Sequence, residues 1–122
     1  MTKMIEIDDA ISAHGNWKVR LKRMISSGEA DTSVETIRQD NQCAFGQWLY
    51  GPTLTTGDKA SSHYKAVKDL HAEFHKAAAR VATLALCGKK AEAEKMMAMG
   101  GEYALISAKL TQAMIAWKAV AK

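Results

Sequence analysis

Apolar residues recur at steps of three and four along three long stretches of the chain, the pattern of an α-helix with one buried face. The first stretch predicts a helix from about Ile5 to Ser26. A second long helix is predicted from about Asp58 to Cys87, and a third from about Lys90 to Ala121 with a possible break at Gly100-Gly101. Polar and charged residues occupy the opposite faces, so each helix is expected to pack one side against a shared core.

The stretch from Asp31 to Gly51 is less regular. A short helix capped by Asp40 or Asn41 is predicted to run through Cys43 to Tyr50, before a Gly-Pro stop. Long amphipathic helices joined by short turns predict an all-α fold. We therefore expect an antiparallel four-helix bundle, with a short extra helix that carries the Cys motif.

Composition narrows the class of protein. With 122 residues, the chain is expected to form a single domain over 1–122. The net charge is +4 and the basic residues are dispersed, which argues against nucleic-acid binding. No apolar run is long enough for a spanning helix, so no membrane insertion is expected. Acidic residues arrive where a signal peptide needs its apolar core, which predicts a cytoplasmic protein.

Three histidines interrupt the apolar faces: His14 on the first helix, and His71 and His75 on the helix predicted from Asp58. Burying an imidazole without a partner costs about 1 kcal/mol or more for each polar group, so something should bind these nitrogens. Residues four apart share one helix face, so His71 and His75 could converge on one cation. Taken alone, the pair is a weak signal and favours two core or surface histidines over a metal site.

Cys43 adds a thiol to this set. Three imidazoles and one thiolate form a closed tetrahedral donor set that suits Zn²⁺ and not Mg²⁺ or Ca²⁺. In the first turn of its short helix the thiol would favour the thiolate, although a lone buried Cys can also act as a small hydrophobe. Cys87 is interpreted as a packing residue or a semi-exposed thiol, and His63 as a surface residue.

Carboxylates near these donors are candidates to orient the imidazoles through hydrogen bonds to their N–H groups. The candidates are Asp40, Asp69 and Glu73.

The segment Cys-Ala-Phe-Gly-Gln-Trp-Leu-Tyr-Gly, residues 43–51, resembles the signature of the chemoreceptor zinc-binding domain family, called CZB. One histidine upstream and a His-x-x-x-His pair downstream fit the same pattern, so the resemblance spans about residues 10–117. It implies a cytoplasmic four-helix bundle, often a homodimer, with Zn²⁺ as cofactor. It also implies that His14, Cys43, His71 and His75 are the metal ligands.

The resemblance further implies a sensor attached to a signalling output protein, such as a chemoreceptor or a diguanylate cyclase. Its inputs would be zinc or oxidants such as hypochlorous acid, which attack the Cys ligand. The chain carries no output domain, so we expect it to act on its partner in cis or in trans.

Two other classes of function remain open from the sequence. One is an enzyme, such as a di-iron or hydrolytic metalloprotein, although a closed four-ligand site leaves no open position for catalysis and favours a non-enzyme. The other is a structural dimerisation bundle without metal, whose histidines hydrogen-bond internally. A haem-binding bundle is a third, more remote alternative. None of these requires the Cys43 segment.

Overall fold

The computed structural model describes residues 2–30, 33–39, 41, 43–52 and 54–120. Every regular element in this part of the chain is a helix, and the prediction of an all-α bundle is confirmed. The helices are α1 (Thr2–Ser27), α2 (Val34–Arg38), α3 (Ala44–Tyr50), α4 (Thr56–Ala60), α5 (Ser62–Leu86), α6 (Lys90–Met97) and α7 (Glu102–Val120).

The central helix is α5, which packs against α1, α2, α4, α6 and α7. It runs antiparallel to α7, because Tyr64 near its start faces Trp117 with ring centroids 6.0 Å apart. Further along, Phe74 faces Tyr103 near the start of α7 at 5.3 Å. All four side chains are buried, so these aromatic pairs join the two helices over most of their shared length.

Helix α1 runs parallel to α5, because His14 lies beside His71 and Trp17 beside His75. The long helix that returns the chain between them in a regular bundle is replaced by the short helices α2, α3 and α4. This irregular side of the bundle carries Cys43, so the arrangement places the thiol next to imidazoles from two parallel helices.

Local hydrogen bonds and close contacts explain where α5 begins and why the chain breaks between α6 and α7. The single helix predicted from Asp58 is wrong: the Ser61 hydroxyl accepts from the Tyr64 backbone N–H at 3.1 Å and starts α5 afresh after α4. The break predicted at Gly100-Gly101 is confirmed. A Cβ on Gly101 would lie 2.3 Å from the carbonyl oxygens of Lys95 and Met96, so only glycine fits there.

None of the described helices combines the length and the apolar character that crossing a membrane requires.

Candidate metal centre

Cys43 lies one residue before α3 and is its N-cap, with φ −88° and ψ 160°. Its Sγ accepts a hydrogen bond from the Gly46 backbone N–H at 3.3 Å. The sequence predicted a helix start at Asp40 or Asn41 and a thiol inside the first turn. In the structure Asn41 lies in a turn, Asp40 lies outside the described residues, and the sulfur itself caps the helix. A donor N–H beside sulfur favours the thiolate form.

His71 and His75 are consecutive on the buried face of α5, and both point towards Cys43. Their Nε2 atoms are 3.1 Å apart. The Cys43 Sγ lies 3.4 Å from the His71 Nε2 and 3.6 Å from the His75 Nε2. These three residues form a group of potential metal ligands in the described part of the chain.

The three distances are close to the edges of a zinc tetrahedron. Zn–N bonds of about 2.05 Å and Zn–S bonds of about 2.3 Å place two nitrogens about 3.3 Å apart, and a nitrogen and a sulfur about 3.6 Å apart. A thiolate and two imidazoles are also the donor types that Zn²⁺ prefers. The residues present therefore fit a zinc ion in both spacing and chemistry.

The orientation of His75 is fixed by a backbone group. Its Nδ1–H donates to the Ile37 carbonyl oxygen at 2.8 Å, at the buried side of α2. The proton on Nδ1 leaves the Nε2 lone pair facing the Cys43 sulfur, as metal ligation requires. Two of the three carboxylates predicted for this role do not fill it, because Asp69 and Glu73 are exposed and Glu73 pairs with Lys76 at 3.6 Å. The third, Asp40, lies outside the described residues.

His14 lies next to the group of three without joining it. The side chain is buried, and its ring centroid is 5.4 Å from that of His71 and 4.5 Å from that of Phe74. Its Nδ1–H donates to the Ala10 carbonyl oxygen at 2.6 Å. Its Nε2 is buried and has no hydrogen-bond partner. A buried acceptor left in this state costs about 1–3 kcal/mol, so His14 carries an unused lone pair close to the candidate site.

Burial also controls the protonation of these imidazoles. Burial lowers the pKa of His71 to about 2, with further lowering by the neighbouring His75 and His14. Burial lowers the pKa of His14 to about 4, against the hydrogen bond to the Ala10 carbonyl, which raises it. Both rings are therefore neutral near pH 7, the form that binds a metal ion.

Cys43 and Trp17 line two clefts. The first has a volume of about 180 Å³ and is also lined by Arg20 and His75. The second has a volume of about 260 Å³ and is also lined by His14. The Arg20 guanidinium stacks on the Trp17 ring at 3.9 Å from its centroid. Because Cys43 is half-buried and lines both clefts, small reagents can reach the sulfur without unfolding the bundle.

The four donors predicted from the sequence thus fall into two groups. Cys43, His71 and His75 are brought together, and His14 is buried beside them. Their assignment as metal ligands stays a prediction. Sequence reasoning missed the carbonyl oxygens of Ala10 and Ile37, because a backbone acceptor has no residue type that identifies it. It also did not single out Trp17 and Arg20, although a Trp and an Arg three residues apart on a helix are close enough to stack.

Comparison with known families supports this chemistry. A family model described as the chemoreceptor zinc-binding domain matches residues 14–82, which include all four predicted donors. No curated protein and no solved structure matches the chain significantly.

Proposed function

The chain belongs to the chemoreceptor zinc-binding domain family, and on that premise we propose that it is a sensory module whose Zn²⁺ is held by His14, Cys43, His71 and His75. Zinc is the cofactor of this family, and the spacing of the Cys43, His71 and His75 donor atoms fits the ion. The observation that carries the ligand assignment is this convergence of one sulfur and two Nε2 atoms at 3.1–3.6 Å.

His14 is proposed as the fourth ligand because, among the described residues, its Nε2 is a buried atom beside the group of three that has no hydrogen-bond partner. The Nδ1 of His71 is also buried without a partner, but it belongs to a ring whose Nε2 already faces Cys43. The ring centroids of His14 and His71 lie 5.4 Å apart, so binding would require the His14 Nε2 to move towards the group of three. Four protein ligands complete a closed, structural type of site.

When bound, the ion would cross-link α1, α5 and the residue that caps α3. Cys43 caps α3, His75 holds the Ile37 carbonyl at α2, and His14 belongs to α1. The irregular side of the bundle is therefore attached to the two long helices around the site. Loss of the Cys43 ligand would loosen this side first, since α2 and α3 have only 5 and 7 residues.

Metal content of the purified full chain tests the assignment. We expect one Zn²⁺ per chain by elemental analysis, and a loss of tight zinc binding in Cys43→Ala and His71→Ala. The chain offers matched controls for both residue types, because Cys87 and His63 lie outside the group of potential ligands. Cys87→Ala and His63→Ala should keep full zinc content. Zinc content unchanged in Cys43→Ala would contradict the assignment.

We further propose that Cys43 is the element that responds to an oxidant such as hypochlorous acid. The thiolate sulfur would attack chlorine and release hydroxide, and water would then displace chloride to give the sulfenic acid. The sulfur loses two electrons and the chlorine gains them. A sulfenic acid is a poorer metal donor than a thiolate, so oxidation would weaken the site and free α3. The two clefts that Cys43 lines support this access.

Mass spectrometry after a sub-stoichiometric dose of hypochlorous acid tests this step. Cys43 should be oxidised ahead of Cys87, although Cys87 is the more exposed of the two thiols. Zinc release, followed with a chromogenic chelator, should follow the oxidation of Cys43. Preferential oxidation of Cys87 with zinc retained would reject the redox role and leave zinc binding intact.

The response would be passed to a signalling protein of the chemoreceptor or diguanylate cyclase type, in cis or in trans. The family is a regulatory one and is not a known enzyme family. We propose that this chain is likewise non-catalytic, cytoplasmic and homodimeric. A closed set of four protein ligands supports the absence of catalysis, because no coordination position is left for a substrate.

A further inference from the structure

The two clefts that Cys43 lines differ in charge. The cleft of about 180 Å³ is lined by Arg20, and no acidic residue is among the described residues around it. The cleft of about 260 Å³ is lined by Asp9, and no Lys or Arg is among the described residues around it. We call it the Asp9 cleft, and its remaining lining residues are Ala10, Ala13, His14, Trp17, Cys43 and Phe45. A carboxylate attracts a cation and a guanidinium repels it, so the Asp9 cleft is the one suited to Zn²⁺.

The Asp9 cleft also contains a metal donor without a partner. His14 lines it, is only 5% exposed, and has an Nε2 that forms no hydrogen bond. His71 and His75 are not among the described residues that line this cleft. An ion that arrives through it therefore meets one imidazole and the Cys43 sulfur before it meets the other two imidazoles. Nitrogen and sulfur are the donors that Zn²⁺ prefers in proteins.

The sequence of α1 arranges these groups from the surface inwards. Asp9, Ala13 and Trp17 follow one another at steps of four, so they lie along one face of the helix. Asp9 and Ala13 are exposed, and His14 is buried. Five residues separate Asp9 from His14, which is about 7.5 Å along the helix axis. The side chain of Ala13, between them, is a single methyl group, so the carboxylate lies towards the outside of an open cleft and the imidazole lies deeper.

We propose that zinc enters and leaves its site through the Asp9 cleft, and that Asp9 captures the ion at the mouth and passes it to His14 and Cys43. This inference rests on the zinc site proposed above and assigns its route of exchange. A single exposed carboxylate holds zinc weakly, since zinc prefers nitrogen and sulfur donors, so Asp9 can release the ion inwards. Because the His14 Nε2 must move towards the group of three on binding, the ring can accept the ion in the cleft and carry it there.

Coulomb's law sets the expected contribution of Asp9 to the rate of zinc binding. A divalent ion that approaches one carboxylate to about 8 Å in water is concentrated there about 5-fold at low ionic strength. At about 0.15 M salt the Debye length is itself about 8 Å, and the enrichment falls to about 2-fold. We expect Asp9→Asn to slow zinc association by these factors. Since the same carboxylate is passed on the way out, dissociation should slow equally and the Kd should change by less than about 2-fold.

Stopped-flow mixing of the metal-free full chain with zinc, at low salt and with a fluorescent zinc chelator as competitor, measures association. Transfer of zinc from the loaded chain to excess chelator measures dissociation. Asp8→Asn is the matched control, because Asp8 is exposed, pairs with Lys118, and is not among the described residues that line the clefts. It should change both rates by less than about 2-fold. Equal slowing by Asp8→Asn and Asp9→Asn would overturn the capture role, and so would a weakened Kd of Asp9→Asn with unchanged association, which would make Asp9 a ligand.

A second pair of variants tests the route without changing any charge. Ala13→Leu narrows the Asp9 cleft and should slow zinc association and dissociation several-fold at an unchanged Kd. Ser12→Leu is the control, because Ser12 is exposed on the same helix and is not among the described residues that line the cleft. Unchanged rates in Ala13→Leu would overturn the route, while a tight Kd in the same experiment would still support the metal centre. A wild-type chain that binds no zinc would overturn the proposed function, and the route with it.

Discussion

Replacing His14 by leucine should stabilise the metal-free protein and weaken zinc binding. Leucine is similar in volume to histidine and favours helices, and the ring site is lined by apolar side chains such as Phe74 and Phe45. The substitution removes the buried Nε2 that has no partner. It also removes the hydrogen bond from Nδ1 to the Ala10 carbonyl, but that oxygen lies inside α1 and keeps its backbone partner.

The expected change in the free energy of unfolding of the metal-free protein follows from these two losses. Removing an unpartnered buried acceptor returns about 1–3 kcal/mol, and losing one hydrogen bond costs about 0.5–1.5 kcal/mol. The net effect is a stabilisation of about 1 kcal/mol. For 122 residues, an unfolding entropy of about 2.1 cal/mol/K per residue gives about 0.26 kcal/mol/K, so the melting temperature should rise by about 4 °C.

In the presence of zinc, the substitution should lower the melting temperature relative to the wild type. At free zinc about 1,000-fold above its Kd, the wild-type chain gains about 4 kcal/mol, or about 16 °C. A variant that binds zinc 100-fold more weakly gains only about 1.4 kcal/mol, or about 6 °C, at the same zinc concentration. Losing a ligand should weaken binding at least this much, because even groups that only orient a ligand contribute 10- to 100-fold.

Thermal unfolding followed by circular dichroism, with a strong chelator and then with buffered zinc, measures both effects on one sample. His14→Leu should melt above the wild type in chelator and below it in zinc. A lower melting temperature in chelator combined with an unchanged zinc shift would refute it. His14 would then be a core residue that contributes packing and no ligand.

Two further predictions concern the same region. Acidification should destabilise the zinc-free protein from about pH 6.5 down to about pH 4, because His14 and His71 have lowered pKa values when folded, so the unfolded chain takes up protons first. By urea unfolding, the free energy of unfolding should fall by up to about 1.4 kcal/mol per pH unit for each of the two rings. About half of this fall should be absent in His14→Leu. A free energy of unfolding that does not change over this pH range would contradict the lowered pKa values. Phe74→Ala should cost about 3–5 kcal/mol by urea unfolding at pH 7.5, because Phe74 is fully buried against His14 and Tyr103, and a loss under 1 kcal/mol would show that its site is loosely packed.

The long helices could be predicted because the spacing of apolar residues along the sequence directly reflects which helix face is buried. His71 and His75 sit on the apolar face of α5, so their position inside the bundle followed from spacing alone. Helix starts were harder. Ser61 is a favoured N-cap, and Thr55 with Asp58 forms a capping box at α4, yet the apolar pattern runs on through both signals. The short break before α5 depends on hydrogen bonds that periodicity does not report.

The N-cap role of Cys43 could not be predicted from residue preference. Asp and Asn are the usual N-caps, so Asp40 or Asn41 was predicted to cap the helix. Cys is not a favoured capping residue. The sulfur occupies the cap position in the structure. The partner of His75 was equally hidden, because the Ile37 carbonyl reaches it only through the packing of α2 on α5. Backbone acceptors of this kind depend on tertiary contacts and leave no trace in composition.

The ion pair between Asp8 and Lys118, at 2.6 Å, joins the first turns of α1 to the last turn of α7. The described chain therefore begins and ends at the same end of the bundle, while the turn at Gly88 between α5 and α6 lies towards the other. Circular permutation becomes feasible: a short peptide could join the present ends, and new ends could open at that exposed turn. Such a circularly permuted chain would keep all four predicted metal ligands in place. It would move the attachment point of a fused reporter to the other end of the bundle.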